Sequence, residues 1–148
     1  MEVLNLPRYS FRIKQGANGA QIMDRCRRRY VKLTPEEWVR QNMVEYLITE
    51  KHYPSALVAN EACIELNGMQ KRCDTVIYDR NGTPKVIVEY KAPSVKITQE
   101  VFDQIAMYNY QLHVDVLIVS NGLNHFCCKV DWYNHSYQFA KEIPVCFF

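Results

Sequence analysis

Nowhere in the 148 residues does an apolar run approach the ~20 needed to cross a bilayer. The opening stretch, MEVLNLPRYSFRIK, lacks a basic start leading into an apolar core, so it does not read as a secretion signal. Six cysteines are present, but none are spaced C-x-x-C. Without a secretion signal the expected state is reduced, mostly buried thiols in a cytoplasmic protein with no membrane association. Cys127 and Cys128 are adjacent and must point to opposite faces of a strand, which disfavours a zinc site built from His125 and Cys127. Internal repeats, low-complexity tracts and linkers are also lacking. Neither sign of charge dominates: 18 Lys and Arg against 16 Asp and Glu leave a net +2, which by itself does not mark a nucleic-acid binder. The basic residues do cluster locally, at Arg25, Arg27, Arg28, Arg29 and Lys32. The plain reading of that cluster is a solvated face; the sharper one is a phosphate-contacting patch.

What is there is an ordinary globular composition, 48% apolar, of a length suited to one domain. Such a domain buries about two-thirds of its unfolded surface. Tyr9 to Lys14 alternates weakly as a short strand, and residues 21–30 read as a short helix. Thr34 opens the clearest helix, with Pro35 at its first position and Glu37 completing a capping box; it should run to about Glu50. Val39, Met43, Val44, Leu47 and Ile48 form its apolar arc. Arg40 falls inside that arc, where a charge needs a partner or a site to serve. Glu36 can pair with Arg40 at i, i+4. Residues 56–66 are strand-like, and Asn67-Gly68 is a turn signal. Thr98 to Leu112 reads as a second helix with Val101, Ile105, Tyr108 and Leu112 buried and Gln104 at the stripe's edge. The apolar run from Val114 to Ser120 suits a strand covered on both faces, parallel to an earlier one. Strands at 124–130 and 136–141 follow. The apolar end, IPVCFF, is either tucked in or a partner surface.

The organising stretch is RCDTVIYDRNGTPKVIVEYK, from Arg72 to Lys91. Two β-rich runs flank Asn81-Gly82, the preferred centre of a two-residue type I′ turn. That turn places Ile77 opposite Val86, Asp74 opposite Glu89, and Arg72 opposite Lys91. Pro84 cannot donate to the ladder and marks a possible bulge that would shift this register. Like charges directly opposed are destabilising, unless a cation lies between them. Glu89 and Lys91 share a face by alternation. Two carboxylates backed by a lysine suit a hard divalent ion such as Mg²⁺, which takes oxygen ligands, polarises a phosphoryl oxygen and lowers the pKa of a water. Arg72 opposite Lys91 suggests a phosphate between two cations.

Asp74, followed after a hairpin by Glu89-Tyr90-Lys91 in α-β-β-β-α-β order, resembles the PD-(D/E)xK nuclease superfamily. More narrowly, the chain resembles the N-terminal nuclease domain of type I restriction enzyme R subunits. The matching segments are LTPEEWVRQ (33–41), KRCDTVIYD (71–79), VIVEYKAP (86–93) and QIAMY (104–108), the last fitting a Q-x-x-x-Y helix motif. The resemblance implies an α/β, restriction-endonuclease-like mixed sheet flanked by helices. Its core would cover about 34–130, with extensions at 1–33 and 131–148. It implies Mg²⁺-dependent cleavage of DNA, with Mn²⁺ able to substitute. Asp74 and Glu89 would be metal ligands, with the Tyr90 carbonyl a third. Lys91 would activate the attacking water, Gln104 and Tyr108 would line the site, and Glu37 would be an acidic group from the first helix. Type I R subunits carry a large motor, whereas these 148 residues hold no phosphate-binding glycine-rich loop. Separate motor or specificity subunits, or a homodimer, are the partners expected. The alternative is a catalytically silent module that keeps the nuclease fold for binding DNA or protein.

Overall fold

In the computed structural model, which describes residues 1–148, the chain begins with a three-stranded antiparallel sheet of β1 (Ile13–Gly16), β2 (Gly19–Asp24) and β3 (Arg29–Lys32). The helix expected over 21–30 does not form, and the first strand lies later than expected. Asp24 is the reason. Its Oδ1 accepts the backbone N–H groups of Cys26 at 2.7 Å and Arg27 at 3.0 Å, and Arg28 takes φ 55°, so the chain turns back as β3. A short acidic side chain that captures nearby amides favours a turn over a helix.

The first helix, α1, spans Pro35–Thr49, with the Thr34 hydroxyl accepting the Glu37 N–H at 3.1 Å. Only half of the expected capping box forms, because the Glu37 carboxylate turns to Arg27 and Gln41 instead. Val39, Met43, Val44 and Leu47 form its fully buried face, while Ile48 packs at the margin.

The main sheet has six strands: β4 (Val58–Leu66), β5 (Met69–Tyr78), β6 (Pro84–Tyr90), β7 (Val116–Ser120), β8 (His125–Asp131) and β9 (Ser136–Ala140), hydrogen-bonded in that order. All neighbours are antiparallel except β6 and β7, which run parallel, as the uniformly buried β7 suggested. The mixed sheet, packed against α1 on one face and α2 (Gln99–Asn109) on the other, is an α/β fold with the expected α-β-β-β-α-β order.

The two Asn-Gly pairs behave differently. Asn67 and Gly68 both take positive φ, 50° and 78°, and join β4 to β5 in the two-residue turn that this dipeptide favours. At the organising hairpin only Gly82 is left-handed, with φ 81°. Asp79 Oδ1 accepts the N–H groups of Asn81 and Thr83 at 2.8 and 2.9 Å, closing a three-residue loop in place of the expected type I′ turn. Tyr78 then pairs with Pro84, and a bulge leaves Lys85 as the extra residue before Ile77 meets Val86. The longer loop and the bulge each shift the pairing by one residue, in opposite senses, so the expected register is restored beyond Ile77.

The buried side of α2 also differs from expectation. Phe102, Ala106 and Asn109 are its buried residues, while Tyr108 is 58% exposed. Phe102 sets this orientation by packing on Tyr137 and Phe139, with ring centres 5.2 and 4.9 Å away. The C-terminal segment is largely tucked in: Ile143 is buried, the Cys146 N–H donates to the Lys51 carbonyl at 2.8 Å, and Phe148 packs on Tyr53. All six cysteines are unpaired thiols; Cys73, Cys127 and Cys128 are buried, whereas Cys63 is exposed.

Candidate active site

The site begins with a break in strand alternation. On β4, Val58 and Asn60 face α1, but Ala62 and Ile64 face α2. Between them Glu61 takes φ 56°, a left-handed conformation unusual for a non-glycine residue in a strand. The matching slip on β5 falls between Cys73 and Asp74. Ladder pairing continues unshifted on both sides, from Asn60 opposite Thr75 to Ala62 opposite Cys73. The consequence is chemical: Lys71 and Asp74, three residues apart, both reach the α2 side of the sheet beside Glu89.

These groups line an open cleft of about 720 Å³ between the C-terminal end of β6 and the flank of α2. Asp74 Oδ2 accepts the Tyr90 backbone N–H at 2.9 Å. Lys71 Nζ donates to Glu89 Oε1 at 3.2 Å and to Asn109 Oδ1 at 3.3 Å, and lies 4.3 Å from the centre of the Tyr108 ring. Burial drives the Glu89 pKa upward, the adjacent Asp74 carboxylate drives it further, and Lys71 pulls it partly back. The balance is a value of about 7. Lys91 lines the same cleft and makes no ion pair.

A buried polar scaffold holds this arrangement from behind. Arg40, 6% exposed, donates to the Asp74 carbonyl at 2.6 Å and to Glu61 Oε1 at 2.7 Å, and its Nε lies 3.2 Å from Glu37 Oε2. The charge inside the apolar arc of α1 thus has its partners. On the other flank Asp24 accepts from Asn60 Nδ2 at 3.0 Å; Thr75 donates to Asn60 at 2.7 Å, and the Tyr90 hydroxyl donates to Thr75 at 2.9 Å.

Of the residues singled out from the sequence, Asp74, Glu89, Tyr90, Lys91, Arg72, Gln104 and Tyr108 all line the cleft. Arg72 does so with its side chain 73% exposed and its Nε on Glu61 Oε2 at 2.7 Å; its strand partner is Cys63 on β4. Glu37 is not among the lining residues. Its carboxylate is held by Arg27 at 2.7 Å and Gln41 at 2.9 Å, one layer behind, and Glu36 occupies the rim instead. Lys71 and Glu61 are the residues that sequence reasoning passed over. Regular alternation puts Lys71 on the face opposite Asp74, so no periodicity signal could have found it.

No three His, Cys, Asp or Glu side chains converge as a metal-binding group. The set available is two carboxylates, which suits a hard ion that completes its shell with carbonyls and waters. Burial first, and the neighbouring Asp74 carboxylate second, raise the Glu89 pKa; a cation between the two carboxylates would offset the second of these. No helix is long and apolar enough to cross a membrane. A search of curated proteins returns no match. A family model described as type I restriction enzyme R protein N terminus matches residues 35–144.

Proposed function

We propose that this chain, which belongs to the type I restriction enzyme R protein N-terminus family, is the nuclease part of a restriction system and hydrolyses DNA phosphodiesters with Mg²⁺. One observation carries the reading: the Asp74 and Glu89 carboxyl groups line one open cleft, where burial and then the Asp74 charge raise the Glu89 pKa to about 7. Asp74, Glu89 and the Tyr90 carbonyl would hold the ion, with Mn²⁺ able to substitute. When bound, it supplies Lewis-acid polarisation of a phosphoryl oxygen and a lowered pKa for water.

The protein's own groups do the rest. Glu89 would hold the ion as its carboxylate, its proton passing to solvent water in the open cleft. Lys91 orients the attacking water and offsets negative charge developing on the phosphate. Gln104 and Tyr108 on α2, with Arg72 on β5, position the DNA strand. Arg40 is a positioning residue that fixes the Asp74 backbone and acts through it.

Asp74→Ala or Lys91→Ala should each lower Mg²⁺- or Mn²⁺-dependent DNA cutting by about a hundredfold or more, with the unfolding transition retained. If the parent protein with Mn²⁺ leaves every form of DNA intact, alone and with separate restriction subunits, the reading is wrong.

A silent binding module is the second reading. Lys71 favours it, because its ammonium already pairs with Glu89 and offsets part of its charge without a metal. Calorimetry separates the two: a working site binds Mn²⁺ and loses it in Glu89→Ala, whereas a silent module takes up no ion in either.

A further inference from the structure

The cleft does not end at Asp74. A second hollow, of about 520 Å³, adjoins it along the free side of β3. The two share Glu36, Arg40 and Glu61 on their linings, so this groove along β3 abuts the cleft. Its further lining includes Arg27, Arg29, Tyr30, Lys32, Thr34 and the carboxylate-bearing Glu37.

The five-residue basic cluster of the sequence is sorted by the fold. Arg25 pairs with Glu45 at 3.0 Å, and Arg27 is committed to Asp24 and Glu37. Arg28 is exposed and lies off the groove. Arg29 and Lys32 are exposed, line the groove and enter no ion pair. Of the acidic residues beside them, Glu37 is held by Arg27 and Glu61 by Arg40 and Arg72, while Glu36, exposed on the shared lining, enters no ion pair, so two free cations stand against one free carboxylate. β3 is also an edge strand. Leu33 N–H donates to the Ala20 carbonyl, so antiparallel alternation leaves the Tyr30 and Lys32 amides on the open edge. Two unpaired cations, in excess over the one free carboxylate of Glu36, and two outward main-chain donors form a surface for phosphate oxygens.

We propose that β3, through Arg29 and Lys32, binds the phosphate backbone of the DNA whose scissile bond lies at Asp74 and Glu89. This rests on the nuclease reading, since it extends the path of that same DNA away from the reacting phosphate. The small three-stranded sheet is then a DNA-positioning arm, contributing affinity and register but no chemistry.

The test is binding of a labelled DNA duplex, followed by anisotropy across a salt series, with Ca²⁺ replacing Mg²⁺ so that the strand stays intact. Arg29→Ala/Lys32→Ala should weaken binding about tenfold or more at low salt and flatten the log K against log [salt] slope by about 1 to 2. Arg29→Lys/Lys32→Arg should restore both. Lys129→Ala, which removes an exposed cation on β8, should change neither. Mn²⁺ affinity by calorimetry should match the parent in all three variants. If the double alanine variant keeps the parent's affinity and slope, the arm is wrong and the nuclease reading stands. If the parent binds no duplex and cuts none, both are wrong.

Discussion

Asp24 and Glu89 are acidic side chains withdrawn from water in one small protein, and their surroundings treat them differently. Asp24 is fully buried and accepts from the backbone N–H groups of Cys26 and Arg27, from the Arg27 guanidinium and from Asn60. Burial pushes its pKa upward, but the hydrogen bonds from Asn60 and Arg27 and the charge of Arg27 outweigh that, and it settles below the ordinary aspartate value. Glu89, with 15% of its side chain exposed, has one lysine for support and a second carboxylate for a neighbour, and its pKa rises to about 7. A carboxylate with a structural task is surrounded by donors until its charge is the stable form. Glu89 lacks such a shell of donors, so its proton stays on to higher pH, as expected of a carboxylate whose charge an incoming cation would complete.

Removing the well-compensated group should have the larger effect on folding. Asp24→Ala leaves the Cys26 and Arg27 amides and Asn60 without their acceptor, and weakens the join between the three-stranded sheet and β4. A loss of about 3–5 kcal/mol in denaturant-measured stability is expected, the range found when a buried ion pair loses one member. The pH dependence has a definite sign. The folded pKa is depressed, so Asp24 stabilises fully above its unfolded value of 3.8, and that contribution is lost as pH falls through the folded value. A loss under 1 kcal/mol would place Asp24 outside the structural class.

Glu89→Gln should act the other way. The folded pKa of about 7 lies above the ordinary 4.5, so the folded state holds a proton that the unfolded state releases between those values. Metal-free stability therefore falls as pH rises from 4.5 to 7 and is flat above, by roughly 3–4 kcal/mol in all. The glutamine variant should lack this fall, matching the parent near pH 4 and exceeding it near pH 8. Adding Mn²⁺ at pH 8 should raise the melting temperature of the parent and leave the variant unchanged. Parallel stability curves for the two proteins across pH 4 to 8 would remove the contrast with Asp24.

Much of this comparison was legible before any coordinates. Thr34 and Pro35 announce α1, and the apolar run at β7 announces a strand buried on both faces. The hairpin runs around Asn81-Gly82 bring Asp74 and Glu89 together. What could not be read arises wherever one side chain overrides a pattern. Asp79 captures two turn amides and lengthens the loop, and Asp24 converts an expected helix into a hairpin. Phe102 turns α2 towards the aromatic side chains of β9, so Tyr108 faces the cleft where a buried stripe was expected. Glu61, at positive φ, reverses the facing of β4 and β5 at one step and brings Lys71 to Glu89. None of these is periodic, and composition carries no trace of them.

Lys71 gives the finest test, because it is the group that moves Glu89 a short way towards Asp24. Its ammonium is 3.2 Å from Glu89 Oε1 and lowers the Glu89 pKa against burial and Asp74. Lys71→Met keeps the aliphatic stem beside Tyr108 and removes the charge. The Glu89 pKa, followed by the carboxyl carbon shift in an NMR titration, should then rise by about one unit. Because a metal must displace that proton, the pH at which Mn²⁺ binding is half complete should move up with it. The displacement also separates the two roles a lysine can have here. Lys91→Met, which removes a cation with no ion pair, should reduce cutting while leaving the Glu89 titration much closer to the parent's. If the two variants shift Glu89 equally, the compensation is diffuse, and Lys71 is not the counter-ion that tempers this carboxylate.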